Sequence, residues 1–350
     1  MCRNFQAFFG DFKLQENFDQ VKLILISGDL WHKSVSFGAD IIPEFLELWY
    51  KFTAWCFRKG IVLRLLKGTP EHDANQGSTL TSITSRAFPD LDFRYIPSLS
   101  VEIHTGLGLS ILYVPDVCRP SAEETYHDAV GALHEAGLQK ADIGCMHGMF
   151  KYQLGNIPMN HNVHDEQQYL ELVTGFITVG HIHVMSSYER IYAQGSFDRI
   201  SHGEESPKGA FYFTEVKPGS WEPVFLVNHS ALLYKTIEIK PSTKDPMRAI
   251  EELAESLPDG SHLRIAAPEG HDVLKAVEAF SKKYPFLHIT RKLVKPKKVK
   301  DDPIAQKRQK TLTLNRETLT EAIMQEINLN HDISPEEAAM LYMSLESLHV

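Results

Sequence analysis

Cysteine is scarce: the four in 350 residues (Cys2, Cys56, Cys118 and Cys145) form no C-x-x-C pair. That argues against a disulfide framework and a cysteine-built zinc site, and it fits a reducing compartment. The first ten residues lack a basic stretch followed by a long apolar one, so no secretory signal is expected. Long apolar runs are missing too. The stretch 41–57 is interrupted by Glu44, Glu47 and Lys51, and reads as a buried amphipathic helix rather than a membrane span. A cytoplasmic protein with no membrane partner is therefore expected. Positive charge is in deficit, with a formal net charge of −9. This weighs against a broad electrostatic grip on nucleic acid, but not against an enzyme that holds phosphates through metal ions. The remaining composition is ordinary for a globular protein, 43% hydrophobic and 23% charged, with length enough for two domains and an appendage.

What is present is a series of short apolar runs that end in polar bursts. Val21–Ser27 reads as a buried parallel strand that empties into Gly28-Asp29-Leu30-Trp31-His32. A helix over about 39–58 follows, stopped by Gly60. The strand Ile61–Leu66 then ends in Lys67-Gly68-Thr69-Pro70-Glu71-His72-Asp73, completing a right-handed βαβ unit. Further strands are expected at 93–96, 101–104 and 109–114, a helix at about 121–137, and a strand from Asp142 into His147-Gly148. The run Phe176–Val179 leads into Gly180-His181-Ile182-His183, whose histidines share one side of an extended chain. Each signal has a plainer alternative: Asp29 as a turn cap, His72-Asp73 as a surface turn, the histidine pair as core. Taken together, Asp29, Glu71, His72, His147, His181 and His183 supply carboxylate and imidazole at several strand ends. That donor set suits Mn, Fe or Zn. Cys145 is set aside as a ligand, and His161 and His164 are expected to be exposed or substrate-facing.

The order GDLWH, GTPEHD, MHG, GHIH resembles the calcineurin-like metallophosphoesterases, and within them the SbcD-type DNA repair exonucleases of bacteria and phages. The segments Gly195–Arg199 and Glu204–Gly209, followed by a returning strand at 210–213, extend the likeness, which covers about 20–295. The resemblance implies an α/β fold: a two-sheet sandwich flanked by helices (1–230), a small α+β cap (231–295), and a basic linker with a helical tail (296–350). It makes Asp29 the carboxylate bridging two ions, with His147 and His181 on one and His183 on the other. Glu71 stands where the family usually has asparagine. His72 becomes the general acid or transition-state stabiliser, His32 a phosphate contact, and Ser196 and Arg199 substrate-binding residues. The implied cofactor is Mn2+ at a two-metal site, with Mg2+ as the alternative, and the implied reaction is phosphodiester hydrolysis at DNA ends.

One part of the family pattern is absent: no Asp-x-His occurs among the 28 residues before Asp29, so a domain lacking the family's first strand is expected. Counting donors, Asp29, Glu71, His147 and His181 fill one site, and only Asp29 and His183 serve the other. One tightly held ion is expected. The cap is expected as β-α-β-α-β, with strands at 236–239, 262–265 and 286–290 and helices at about 245–257 and 271–283. Beyond it the basic residues from Arg291 to Lys310 are a solvated linker or an arm that tracks phosphates. Helices opening at Asn315 and at Ser334, the latter with a capping box, have apolar faces suited to docking a partner. By the resemblance that partner is an SbcC-like coiled-coil ATPase; DNA and a second copy in a homodimer are the other associations. A phosphatase of small or protein substrates and a catalytically weakened scaffold subunit remain as alternatives.

Overall fold

The computed structural model describes residues 18–31, 41–73, 76–116, 119, 121–154, 162–240 and 242–294. The chain divides into two units, Met1–Val294 and Lys295–Val350. The second lies wholly outside the described residues, as do His32, His161, the basic linker from Lys295 and both expected tail helices.

The first unit is mixed α/β. Apolar runs buried on both faces become parallel strands. Strands β1 (Leu23–Ile26), β2 (Val62–Leu66) and β3 (Phe93–Ile96) form one parallel sheet in that order. Its outer face carries α1 (Ile41–Lys59), whose Phe45, Trp49, Phe52 and Cys56 pack on Leu63 and Leu65. Two short helices precede β3. The first, α2 (Pro70–Asp73), forms where a polar loop was expected, and the second is α3 (Gln76–Ala87). Strands β4 (Ser100–His104), β5 (Leu109–Val114), β6 (Ala141–His147), β7 (Val173–Gly180), β8 (Ser186–Tyr188) and β9 (Ile191–Ala193) make a second sheet, ordered β4-β5-β6-β7-β9-β8. Helices α4 (Ala122–Glu135) and α5 (Glu166–Leu172) are joined to it in a core that includes Leu112, Leu133, Tyr169 and Ile177.

The two sheets meet through a shared core of Leu66 and Ile96 from one and Ile111, Tyr113, Ile143, Cys145 and Phe176 from the other. A charged link crosses it. Arg64 on β2 has no exposed side-chain surface and donates to both carboxylate oxygens of Glu102 on β4, at 2.8 and 2.7 Å. It also pairs with Asp92, while the Tyr113 hydroxyl donates to Glu102.

A hairpin follows, β10 (Gly209–Lys217) and β11 (Ser220–Val227), with Phe213 stacked on Phe176 at 3.7 Å. Pro223 faces Phe213 across the hairpin. Lys208 and Asn228 are directly bonded, so alternation makes the Phe213–Pro223 pair a non-bonded one, where a missing N–H is harmless. Last comes a parallel sheet of β12 (Tyr234–Glu238), β13 (His262–Pro268) and β14 (His288–Val294). Its core is its own, formed with α6 (Pro246–Ser256), α7 (Asp272–Lys275) and α8 (Val277–Lys283). The expected β-α-β-α-β order is present. The single helix expected over 271–283 is instead two, meeting at Ala276, which caps both. Arg291 and Lys292 belong to β14 rather than to a linker.

Removing one partner of a buried ion pair strands the other charge. Glu102→Ala is expected to lower stability by about 3 kcal/mol, and the Arg64→Met/Glu102→Leu double substitution to recover most of it. Urea melts of the three proteins check this; a single-variant loss below about 1 kcal/mol contradicts it.

Candidate metal centre

Four strands, parallel within their two sheets, end side by side: β1 at Ile26, just before Ser27, β2 at Leu66, β6 at His147 and β7 at Gly180. Ligand sites of open α/β sheets form at such carboxyl ends. Here the ends approach so closely that side chains are excluded. A Cβ on Gly28 would lie 2.4 Å from His147 Nδ1, and one on Gly68 2.2 Å from the Asp29 nitrogen. Gly28 also turns the chain with φ of 83°. Asp29 and His181 follow their glycines at φ of 49° and 97°, a region L-residues seldom occupy. Strained backbone of this kind persists where surrounding contacts over-determine it, and it clusters at functional sites.

The result is one group of three donors, Asp29, His147 and His181, with all ligand atoms within 4.8 Å of one another. Asp29 is fixed on every side. Its Oδ1 accepts from the Thr69 N–H at 2.6 Å, and its Oδ2 lies 2.9 Å from His72 Nδ1 and 3.3 Å from His147 Nε2. Burial raises its pKa, but hydrogen bonds and charge from His147 and His72 outweigh that and hold the carboxyl far below the usual range. Buried His147 sends Nδ1 to the Ser27 carbonyl at 2.7 Å. A carbonyl only accepts, so Nδ1 carries the proton and Nε2 is turned towards Asp29. Hydrogen bonding at the far nitrogen is how metal-binding imidazoles are oriented. A lone pair facing a carboxylate needs a cation between them. Burial alone would lower the His147 pKa; Asp29 reverses the sign and raises it. For His181, burial and then nearby His147 push the pKa down. A carboxylate and two imidazoles within reach of one point are a donor set that fits a divalent cation.

The other sequence candidates take different places. His72 joins the group through Asp29. Glu71 is exposed on α2 and is not one of the three converging donors. His183 is outside that group as well; its Nδ1 contacts Glu204 Oε1 at 3.1 Å. Glu204 is the hub of a second network. Ser196 and Ser201 hydroxyls donate to it, and Lys208, with no exposed side-chain surface, reaches its Oε2 at 2.8 Å and the His183 carbonyl at 2.7 Å. Burial opposes ionisation of Glu204, yet Lys208, Ser201 and His183 bring its pKa down to about 2. Arg199, the other substrate-binding candidate, donates to the carbonyls of Glu204, Leu232 and Ser206. Ser196 and Arg199 thus hold the loop after His183 in shape.

Several site residues were not visible in the sequence. Thr69 places its hydroxyl 3.2 Å from Asp29 Oδ2, 3.3 Å from His147 Nε2 and 3.4 Å from His181 Nδ1. Asp73 is buried and accepts from the Gly68 N–H at 2.6 Å and the Asp29 N–H at 3.2 Å, tying the β1 and β2 loops together. A pocket of about 140 Å³ beside the triad is lined by Asp116, Asn162 and His164 along with His147 and His181. Of the two expectations for His164, exposed or substrate-facing, the structure excludes the first: it is 8% accessible and packs against Phe150 and Tyr169, while lining the pocket beside the triad. An Asn/Gly-rich context suggested a surface loop, but this histidine directly precedes the N-cap of α5 and is drawn into the helix-side core. Cys145 is buried between the sheets against Ser27, and burial pushes its thiol up to about 12, which suits no thiolate ligand. Among the described residues no helix is long and apolar enough to cross a membrane. No protein-family model matches the chain.

Burial lowers the His164 pKa to about 4, below its ordinary value of 6.5. The neutral form is the one folding favours, so this contribution is complete above pH 6.5, declines as pH falls towards 4, and is flat below that. The loss amounts to about 3 kcal/mol. His164→Phe is expected to flatten that part of the profile; urea midpoints between pH 7 and pH 4 that fall equally in both proteins refute the assignment.

Proposed function

We propose that the chain is a metal-dependent phosphodiesterase of the calcineurin-like superfamily, SbcD-type, acting on DNA ends. The observation that carries this is the convergence of Asp29, His147 and His181 at the carboxyl ends of strands from two packed sheets, with His72 hydrogen-bonded to Asp29. Two facing sheets with helices outside them are compatible with the metallophosphoesterase sandwich. Asp29, His147 and His181 would hold the first ion, Mn2+ or Mg2+, which supplies charge for a phosphoryl group and lowers the pKa of water. His72 sits at the edge of that group, where it can give or hold a proton at the leaving oxygen. The Ser27 carbonyl keeps His147 in one tautomer, and Asp73 keeps Asp29 and Gly68 in register.

A polynucleotide is favoured over a small phosphomonoester by the face of the third sheet opposite its helices. Tyr234, His262 and His288 form one row across three strands there, with ring centroids 4.1 and 4.6 Å apart. Arg264 and Lys292 lie two and four positions further along the same face. Stackable rings beside cations suit bases and phosphates. Docking of a coiled-coil ATPase remains assigned to the tail. A second reading, a weakened or one-ion subunit, is favoured by the three-donor count and by the engagement of His183 with Glu204.

Calorimetry with Mn2+ and cleavage of end-labelled duplex DNA test these readings together. Asp29→Ala and His181→Ala are expected to abolish ion uptake. His72→Ala is expected to retain it and lose roughly 100- to 10,000-fold in cleavage rate. Uptake of one tight ion with no cleavage supports the second reading. Turnover of p-nitrophenyl phosphate without DNA cleavage supports a phosphatase, and unchanged uptake by Asp29→Ala refutes the site.

A further inference from the structure

Thr69 stands immediately before α2, where a threonine ordinarily turns its hydroxyl back to accept from the first free N–H groups of the helix. In this chain the His72 and Asp73 N–H groups go to the Thr69 carbonyl, at 2.9 and 3.0 Å. The hydroxyl contacts Asp29, His147 and His181 instead. Two neighbours hold the residue there. Its own N–H donates to Asp29 Oδ1 at 2.6 Å, which fixes it against the loop after β1. Gly68 permits the approach, since a Cβ at that position would lie 2.3 Å from Asp29 Oδ1.

The hydroxyl oxygen lies 3.2 Å from Asp29 Oδ2, 3.3 Å from His147 Nε2 and 3.4 Å from His181 Nδ1. A hydroxyl has one proton to donate, and an O–H···O bond is ordinarily about 2.7–2.8 Å long. None of the three contacts is that short. Two of the partners, Asp29 Oδ2 and His147 Nε2, present lone pairs to an oxygen that carries lone pairs of its own. Even spacing from three donors is the pattern of groups that share one ion. Donors bound at about 2.0–2.1 Å in a tetrahedral or octahedral array stand roughly 2.9–3.4 Å apart. The separation of Asp29 Oδ2 from His147 Nε2, 3.3 Å, falls in the same range.

We propose that Thr69 Oγ1 is a fourth protein ligand of the ion held by Asp29, His147 and His181, in the place that the sequence pattern suggests for Glu71. Glu71 itself is exposed on α2 and outside the donor group. A neutral oxygen in that place has two consequences. The donor set carries one formal negative charge, that of Asp29, so a divalent ion keeps net positive charge towards a phosphoryl oxygen. The added donor is also hard, which suits Mn2+ or Mg2+ better than a soft, thiophilic ion. Threonine and serine hydroxyls ligate Mg2+ in the same way in phosphate-binding loops. The proposal rests on the reading of these residues as a metal centre, and on no particular substrate.

The test uses the full chain, with Mn2+ and Co2+ as probes. By calorimetry, the unaltered chain and Thr69→Ser are expected to bind Mn2+ alike. Thr69→Val, which keeps the shape and loses the oxygen, is expected to bind it roughly tenfold or more weakly. A residue that only orients Asp29 could produce that loss too, so Thr69→Cys separates the two roles. A sulfur bonded to Co2+ gives a thiolate-to-cobalt charge-transfer band in the near ultraviolet. That band is expected in Thr69→Cys, and neither in the unaltered chain nor in the Thr69→Cys/Asp29→Ala double variant. Should Thr69→Cys fail to fold, the comparison of Ser with Val still decides. Full Mn2+ affinity in Thr69→Val, or no band in a Thr69→Cys protein that binds Co2+, overturns the proposal and leaves the three-donor centre standing. Failure of the unaltered chain to bind either ion overturns both.

Discussion

The contact between the Ser27 carbonyl and the buried His147 imidazole is the constraint on which the rest of the site depends. It joins the end of β1 in one sheet to the end of β6 in the other, fixes the histidine tautomer, and aims the remaining nitrogen at Asp29. It requires the strand ends to approach within hydrogen-bonding distance, and therefore requires glycine at 28 and 180. The left-handed backbone of Asp29 and His181 follows from the same crowding. Strain at the ligands and order around them are two aspects of one close approach.

Polar groups inside this protein are organised by the same rule in three places. Arg64 with Glu102 links the sheets, Lys208 with Glu204 holds the loop after His183, and Asp73 braces the two ligand loops. Each buries charge or a carboxyl group and offsets the cost with several hydrogen bonds of defined direction. Such networks contribute less to net stability than apolar packing of equal volume would, but they specify geometry. Asp73 lies directly against the site, bonded to the Asp29 and Gly68 N–H groups.

Much of the architecture was legible in the sequence because buried parallel strands are short apolar runs that end abruptly. Phe93–Ile96 and Leu109–Val114 have the expected bounds, and the αβ alternation of the third sheet is as expected. Asp29, His147 and His181 announced themselves as polar residues at strand ends. What was hidden depends on tertiary position. Helix α3 carries many serines and threonines and little apolar periodicity, so nothing local marks it. Thr69 has the appearance of a turn residue, and only the meeting of two sheets places its hydroxyl among three donors. Ser196 and Arg199 bond Glu204 and backbone carbonyls, contacts the sequence does not announce, because a polar residue near a site can face substrate or the backbone. Glu71 and Asp73 share one helical turn, and packing alone decides that the aspartate is the buried one.

The distance along the chain between Ser27 and His147, 120 residues, bears on when the ligand set comes into being. Long-range pairings form late, because loop closure must precede the contacts that compensate for it. The donor group cannot preorganise within a local hairpin or helix, so it belongs to the native state and scarcely to partly folded ones. A ligand bound only by such a late-formed group would act thermodynamically as a lock: it would deepen the native basin by mass action and slow the first step of unfolding while leaving the rate of folding almost untouched.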